Sequence, residues 1–535
     1  MKKNLLAISL ITMSCLYGVL AAVLILVFAL LEMPISYAIL SSLFVIVIQF
    51  LIAPALNDWV FEHFYKTNFD CEIPEYLKEF IMESCQKHNM KYPMIGVIDD
   101  GSPNAFTYGR TKNDARLVIT RGILNLLNED EVKAVVAHEL GHANHYDMLF
   151  MTVAQIVPLI LYYVYEILLG TSNGKSSSNN SDSNSQDYGA LVGVIAYILY
   201  IVSQYIILWL SRTREYYADS FSVEETRNPT ALANSLVKIG FGLAVGDKKE
   251  KSKVSEGNAL GISNSKIAKG IALGSYNNGS VSKENIINAM KWERWNIWAK
   301  IQEFNSTHPL ISNRLLAISE RCEEFGQERY IVFNEEKKES YVDDFLKEVL
   351  IVIAPWIIFI VFLFIWLVNI ENNPLMFAGI GGIIFVSSLF VHLNYTHKNK
   401  NYKETNVAEL LSEVKVSNVT SVPCILKGEI IGRGNPGCIF NEDFVIQDET
   451  GIIFLDYNQP LRIIEKIFAI FKAKENFNKE VKVKGWYRRG VVPYVEVYSL
   501  EVDGKIKKCH TYKTTKVFYS ILMILAIAAL ICAFM

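Results

Sequence analysis

The chain has little of what would make a disulfide-framed or cysteine-metal protein. Its 535 residues include eight cysteines. They are scattered without a C-x-x-C pair, and Cys15 and Cys532 fall inside apolar runs. This excludes a cysteine metal site and a disulfide frame and points to reduced thiols. An excess of one charge is also missing, since 52 basic residues stand against 55 acidic ones. From Ser421 to Lys507 the count is 13 basic to 12 acidic, without the basic surplus of a nucleic-acid binder. The tight loop Gly432-Arg433-Gly434-Asn435-Pro436-Gly437 has no G-K-[ST] after it, so it is not a phosphate loop. No small-residue cleavage site follows the first apolar run, Asn4–Leu31, which reads as an uncleaved anchor.

Hydrophobic surface is what the chain has in quantity. Hydrophobic residues make up 51%, and the mean hydropathy is positive. A bilayer crossing takes about 20 apolar residues. Candidate crossings are Asn4–Leu31, Ile35–Asn57, Met148–Tyr165 (continuing past Glu166), Tyr188–Ser211, Val349–Ile370, Asn372–Leu393 and Val517–Met535. Lys2 and Lys3 precede the first run, and basic flanks stay in the cytoplasm. Alternation then puts 62–147, 212–343 and 397–515 on that side, together with Arg212, Arg214, Lys398, Lys400, Lys403, Lys513 and Lys516. The opposite loops hold Lys175 alone. The reading is a multi-pass cell-membrane protein.

His138-Glu139-Leu140-Gly141-His142 spells H-E-x-x-H in a stretch that reads as helix. Asn128 caps its start, Glu129, Asp130 and Glu131 fill its first turn, and Val132, Val135 and Val136 keep the helical period. Histidines four apart share one helical face, so both imidazoles reach one zinc ion. Glu139 is placed between them to take a proton from the water that attacks a peptide carbonyl. The plain alternative is a surface helix with two solvated histidines, which a third ligand would argue against. After the fourth apolar run comes Ser211-Arg212-Thr213-Arg214-Glu215-Tyr216-Tyr217-Ala218-Asp219. Glu215 and Asp219 share a face. Glu215 suits a zinc ligand, and Asp219 suits an acceptor for the second N–H of a ligating histidine. The spacing fits an exposed helix with two acids near two arginines equally well.

The S-R-x-R-E-x-x-A-D string following H-E-L-G-H resembles the HtpX-like metallopeptidases, relatives of the CaaX prenyl proteases. Asn104-Ala105-Phe106, followed by Tyr108-Gly109, resembles that family's N-A-F-x-x-G strand. Val118-Ile119-Thr120-Arg121-Gly122-Ile123-Leu124 resembles the strand and helix leading to the zinc helix. Ser306-Thr307-His308-Pro309 with Arg314 resembles S-T-H-P-x-x-x-x-R. The resemblance implies zinc ligands His138, His142 and Glu215, with Glu139 as base and Asp219 behind the ligands. It also implies a strand at Asn104, Ala105 and Phe106 that holds substrate backbone, with His308 and Arg314 at the site. The zinc helix would run on into the third span at Asp147-Met148.

Read by themselves, some of these residues leave alternatives open. Ser102-Pro103-Asn104 reads as a surface turn, although an unpaired edge there would accept an extended peptide. His308 suits either an oxyanion donor or a stabiliser of its own Thr-His-Pro turn. His145 is not expected as a ligand, because water needs the open metal position. His63, His88, His392, His397 and His510 stand alone.

Two further regions shape the expected architecture. Residues 246–303 start polar and end with Trp292, Trp295 and Trp298, spaced as one helical stripe. That stripe suits a membrane interface, a substrate cleft or a plain core. Residues 171–187 are Ser/Asn-rich and read as a flexible loop. Near the C-terminus, apolar alternation predicts strands at Cys424–Ile431, Phe444–Gln447, Ile452–Tyr457, Val481–Tyr487 and Val492–Tyr498. Asp448-Glu449-Thr450-Gly451 reads as a hairpin turn, and Pro460–Ala473 as an intervening helix. Five strands with a helix in that slot resemble an OB-fold barrel.

The expected fold class is therefore a mainly α membrane protein. It has an α-helical zincin-type metallopeptidase core, a small β edge sheet and a C-terminal OB-like β-barrel. The domains expected are a membrane hairpin at 1–61 and a zinc metallopeptidase domain at 62–343, interrupted by a membrane hairpin at 148–211. A hairpin at 344–397, the cytoplasmic barrel at 398–515 and a membrane helix at 516–535 follow. The expected function is a zinc endopeptidase with one Zn2+ per chain, acting on membrane or misfolded proteins at the cytoplasmic face. Its partners are protein substrates and the lipid bilayer, with no nucleic acid. A CaaX-type prenyl-peptide protease is the alternative within the enzyme class. A non-catalytic membrane adaptor acting through the barrel is the alternative outside it, and an intact ligand-and-base set argues against that one.

Overall fold

A computed structural model describes residues 2–30, 35–69, 71–174, 183–245, 276–277, 280–398, 401–433, 444–460, 477–490 and 492–535. The chain divides into two compact units. The first runs to Ile239 and resumes over Glu303–Val332; the second takes the described residues of Gly240–Ser252, Ser265–Gln302 and Phe333–Met535.

The first unit begins with α1 (Lys2–Leu30) and α2 (Ile35–His63) and continues through α3 (Glu75–Lys87). Strands β1 (Met94–Ile98), β2 (Ala105–Gly109) and β3 (Ala115–Thr120) form a sheet in the order β1-β3-β2. β1 runs parallel to β3 and β2 antiparallel to it, with Ala105 opposite Ile119. β2 is thus an edge strand. Its alternation sends Phe106 and Tyr108 into a cluster with Phe61 of α2 and Val118 of β3. Next come α4 (Arg121–Leu126), α5 (Glu129–Asn144), α6 (Asp147–Gly174), α7 (Ser183–Thr226) and α8 (Pro229–Val245). Leu16 and Leu20 of α1 pack with Val157 and Leu161 of α6 and Ala196 of α7.

The second unit holds β4 (Tyr276–Asn277), β5 (Ser280–Val281), α9 (Lys283–Trp295) and the start of α10 (Ile297–Phe304). The chain returns to the first unit for α11 (Ile311–Arg321). It then completes the second with α12 (Val342–Val368), α13 (Pro374–Thr396), β6 (Lys403–Glu404) and α14 (Val407–Ser412). Strands β7 (Val422–Arg433), β8 (Phe444–Gln447), β9 (Ile452–Asp456), β10 (Glu480–Arg489), β11 (Pro493–Val502) and β12 (Lys505–Lys508) follow, and α15 (Thr511–Phe534) ends the chain. The order β7-β8-β9-β11-β10 closes through a β10–β7 pairing into a five-stranded barrel. The Asp448 turn is held by its own carboxylate, which accepts from the Thr450 and Gly451 amides at 2.7 and 2.9 Å. The expected helix at Pro460–Ala473 and most of the Gly432–Gly437 loop lie outside the described residues.

Helices cover each of the expected membrane runs. Among the described residues, five are long and apolar enough to cross a bilayer: Asp147–Leu168, Gly189–Thr226, Val342–Val368, Pro374–Thr396 and Thr511–Phe534. Within α1 the apolar stretch described is shorter, Ser14–Val27.

The tryptophan stripe is interrupted. Asn296 leaves helical geometry (ψ 134), so Trp298 belongs to α10 while Trp292 and Trp295 end α9. The Trp292 indole is buried and donates to the Val416 carbonyl at 2.7 Å, and the Arg489 guanidinium lies 4.7 Å from its ring centre. Trp298 donates to Glu348, and Trp295 meets Phe333 edge-on. These tryptophans are packing residues of the second unit.

Candidate metal centre

The site grows from the start of α5. Asn128 and Glu131 make a reciprocal capping box, each side chain accepting from the other's amide at 2.9 and 3.0 Å. Three acids in the first turn favour the positive end of the helix dipole. The helix is buried along most of its length because α7 crosses it closely. A Cβ at Gly141 would stand 3.1 Å from Phe221, so glycine permits that approach. Ser222 of α7 donates to the Ala134 carbonyl of α5 at 2.6 Å. The close crossing delivers Glu215 to the histidines.

His138 Nε2 and His142 Nε2 lie 3.1 Å apart. Glu215 Oε2 is 3.7 Å from the first and Oε1 is 3.6 Å from the second. Among the described residues these three offer ligand atoms within 4.8 Å of one another. The far nitrogen of each ring faces an aspartate. Asp219 Oδ1 is 3.0 Å from His138 Nδ1, and Asp147 Oδ2 is 2.7 Å from His142 Nδ1. With Nδ1–H donated outward, each Nε2 presents a lone pair. Two such lone pairs and a carboxylate facing one small volume repel one another unless a cation lies among them. The donor set therefore fits a divalent metal with nitrogen and oxygen ligands.

Glu139 is 3% exposed. Burial pushes its carboxyl up to about 7, against the opposing pull of His142. Thr107 of β2 lies beside it, so the edge strand passes next to the expected base. Ala105 and Phe106 are in that strand, and Asn104 precedes it with its carbonyl accepting from the Thr120 amide at 2.9 Å. His308 Nδ1 is 3.0 Å from Glu215 Oε2. Arg212 positions the loop before His308 by donating to the carbonyls of Glu303, Phe304 and Ser306.

One expectation needs correction and one residue, Arg314, is held more tightly than its motif suggests, being fully buried. Its guanidinium holds Asp219 at 2.6 and 2.9 Å and lies 3.4 Å from Glu215. In this position the guanidinium orients both carboxylates. The zinc helix was expected to run on into the third span. It stops at Asn144, Tyr146 adopts a left-handed φ of 59°, and a new helix starts at Asp147. That break brings Asp147 to His142, a partner the sequence reading missed. Its signal was an acid one residue past a helical repeat from the second histidine, visible only to someone expecting the break.

Paired imidazoles, a carboxylate from a crossing helix and a buried glutamate between the histidines define a metallopeptidase-type centre. The sequence comparisons agree. Residues 71–322 match the model of peptidase family M48. A protease HtpX homolog of Methanothermobacter thermautotrophicus is 39% identical over 197 residues, 37% of this chain and 70% of that one. A protease HtpX homolog of Campylobacter concisus is 32% identical over 203 residues, 36% of this chain and 68% of that one. Among solved structures, S. mikatae Ste24p is similar at a TM-score of 0.35 and 19% identity, covering 58% of this chain and 65% of that one. The chain belongs to peptidase family M48, alongside the HtpX proteases.

Proposed function

We propose that this protein is an integral membrane zinc-dependent endopeptidase that cleaves membrane or misfolded proteins at the cytoplasmic face of the cell membrane, as a quality-control protease of the HtpX type. The observation that carries this reading is the convergence of His138, His142 and Glu215, with both rings held from behind by carboxylates. These three residues would hold the zinc ion, which when bound polarises the scissile carbonyl and makes water a nucleophile at neutral pH. Glu139 takes the proton of the attacking water and passes it to the leaving amine. His308 hydrogen-bonds the oxyanion as the carbonyl becomes tetrahedral. The open edge of β2, with Asn104, Ala105 and Phe106, takes the substrate as an added strand and holds its amide still.

The reading divides the chain at the boundaries expected from sequence, with the zincin-type peptidase core over 62–343 and an OB-like barrel over 398–515 that contacts protein rather than nucleic acid. The test is cleavage of a membrane protein substrate by purified protein before and after zinc is stripped and restored. Zinc-dependent cleavage is expected; cleavage indifferent to chelation overturns the reading. For orientation, a cysteine at Ser177 in a cysteine-free background should react with an impermeant thiol reagent on intact cells, and one at Ser252 only after lysis. Equal labelling would refute the cytoplasmic site.

A further inference from the structure

The two metal-facing histidines are oriented from different membrane helices. His138 is backed by Asp219, which follows Glu215 on α7 and is itself gripped by Arg314. His142 is backed by Asp147, the first residue of α6. Were α5 continuous, Asp147 would sit five residues past His142, about 140° around the axis and off its face. The left-handed Tyr146 removes that angle, at a cost in local backbone strain for a residue with a side chain.

The carboxylate so delivered is buried, at 4% exposed, and pairs with Arg214. A buried charge must be paired. One oxygen accepts from His142 Nδ1; the other is met closely by Arg214, at 2% exposed, whose guanidinium also lies 4.7 Å from the centre of the Phe150 ring. Arg214 is the residue immediately before the ligand Glu215 on α7. One ion pair therefore ties the start of α6, the body of α7 and the second histidine together.

We propose that Asp147, locked by Arg214, is a positioning residue for His142, so that the α6–α7 hairpin sets the affinity and geometry of the metal centre. This rests on the metallopeptidase reading above. Its physical content is tautomer and angle: Asp147 keeps the proton on Nδ1 and turns Nε2 toward His138 and Glu215.

The experiment measures zinc affinity of the full-length protein in detergent, by competition with a chromophoric chelator. The visible spectrum of the cobalt-loaded form reports ligand geometry. Asp147→Asn should weaken zinc by about 10–100-fold and shift the cobalt bands. Arg214→Lys keeps the charge but loses the planar fork, and should show both changes more weakly. Asp147→Glu, which keeps the carboxylate, should restore part of the affinity. Parental affinity and an unaltered spectrum in folded Asp147→Asn would overturn the proposal. Should that variant not fold, the same result in Arg214→Lys decides against it. If the parental protein binds no zinc and His142→Ala changes nothing, the metallopeptidase reading itself has failed.

Discussion

Each unit of the molecule contains a chain of arginine, carboxylate and imidazole, buried in the first and half-buried beyond its arginine in the second. In the first, Arg314 grips Asp219, which lies 3.0 Å from His138 Nδ1. In the second, Arg488 grips Glu496 at 2.8 Å, and Glu496 lies 2.9 Å from His397 Nε2. The two chains match as far as the ring and diverge beyond it. The outer nitrogen of His138 faces His142 and Glu215. The outer nitrogen of His397 meets the hydroxyl of its neighbour Thr396 at 2.9 Å, and Trp486 and Tyr512 enclose the ring. Arg488 also donates to the Thr396 carbonyl at 2.8 Å, so this second chain fastens the end of α13 to the barrel. An ion pair that fixes an imidazole is thus a general device for orientation. It becomes a reactive centre only where other donors converge on the same point. The match to the peptidase family ends at residue 322, which leaves the barrel's chain outside it.

The comparison can be broken at either end. Glu139→Gln should lower cleavage by about 10²–10⁴-fold while zinc stays bound, because the ligands remain and only the base is lost. Turnover at the parental rate would remove the first chain's claim to chemistry. Glu496→Gln leaves Arg488 buried beside a neutral amide. It should lower thermal stability appreciably, since breaking a buried pair costs up to about 3–5 kcal/mol, with zinc affinity unchanged. A loss of zinc in that variant would mean the second chain is not merely structural.

Asp219→Asn should weaken zinc by about 10–100-fold, measured by chelator competition. An unchanged affinity would make the two arginine chains equivalent after all. The smallest effect concerns pH. Burial opposes ionisation of Glu496, yet the His397 hydrogen bond and the Arg488 charge hold it down to about 2 from 4.5. A carboxylate depressed by folding stabilises above its unfolded value, and that contribution is lost as pH falls toward the folded one. Between about pH 4.5 and 2 the parental protein should therefore lose stability that Glu496→Gln does not have to lose. Parallel acid-unfolding curves would contradict this.

What the sequence disclosed follows the range of the interaction. The H-E-x-x-H pair and the Glu215/Asp219 pair are helical repeats, readable because four residues return to one face. Barrel strands such as Phe444–Gln447 were legible from alternation, whereas Lys505–Lys508 carries too little apolar pattern to announce the strand it forms on β11. The tryptophans read as one unbroken stripe because periodicity does not register the stop at Asn296. Asp147 was hidden by a single backbone angle at Tyr146. Arg314 was placed by motif, while its buried contact is with Asp219, 95 residues away. His397 stood alone in sequence because Glu496 lies 99 residues further on. No local pattern encodes a partner at that distance.

The tie between Trp292 and Val416 spans 124 residues. A ribosome adds about 5–20 residues per second, so roughly 6–25 s separate the emergence of the indole from that of its acceptor. His138, His142 and Glu215 have emerged before that interval begins, and His308 and Arg314 emerge early in it. A newborn chain thus has every residue of the candidate metal centre before α9 has its cover.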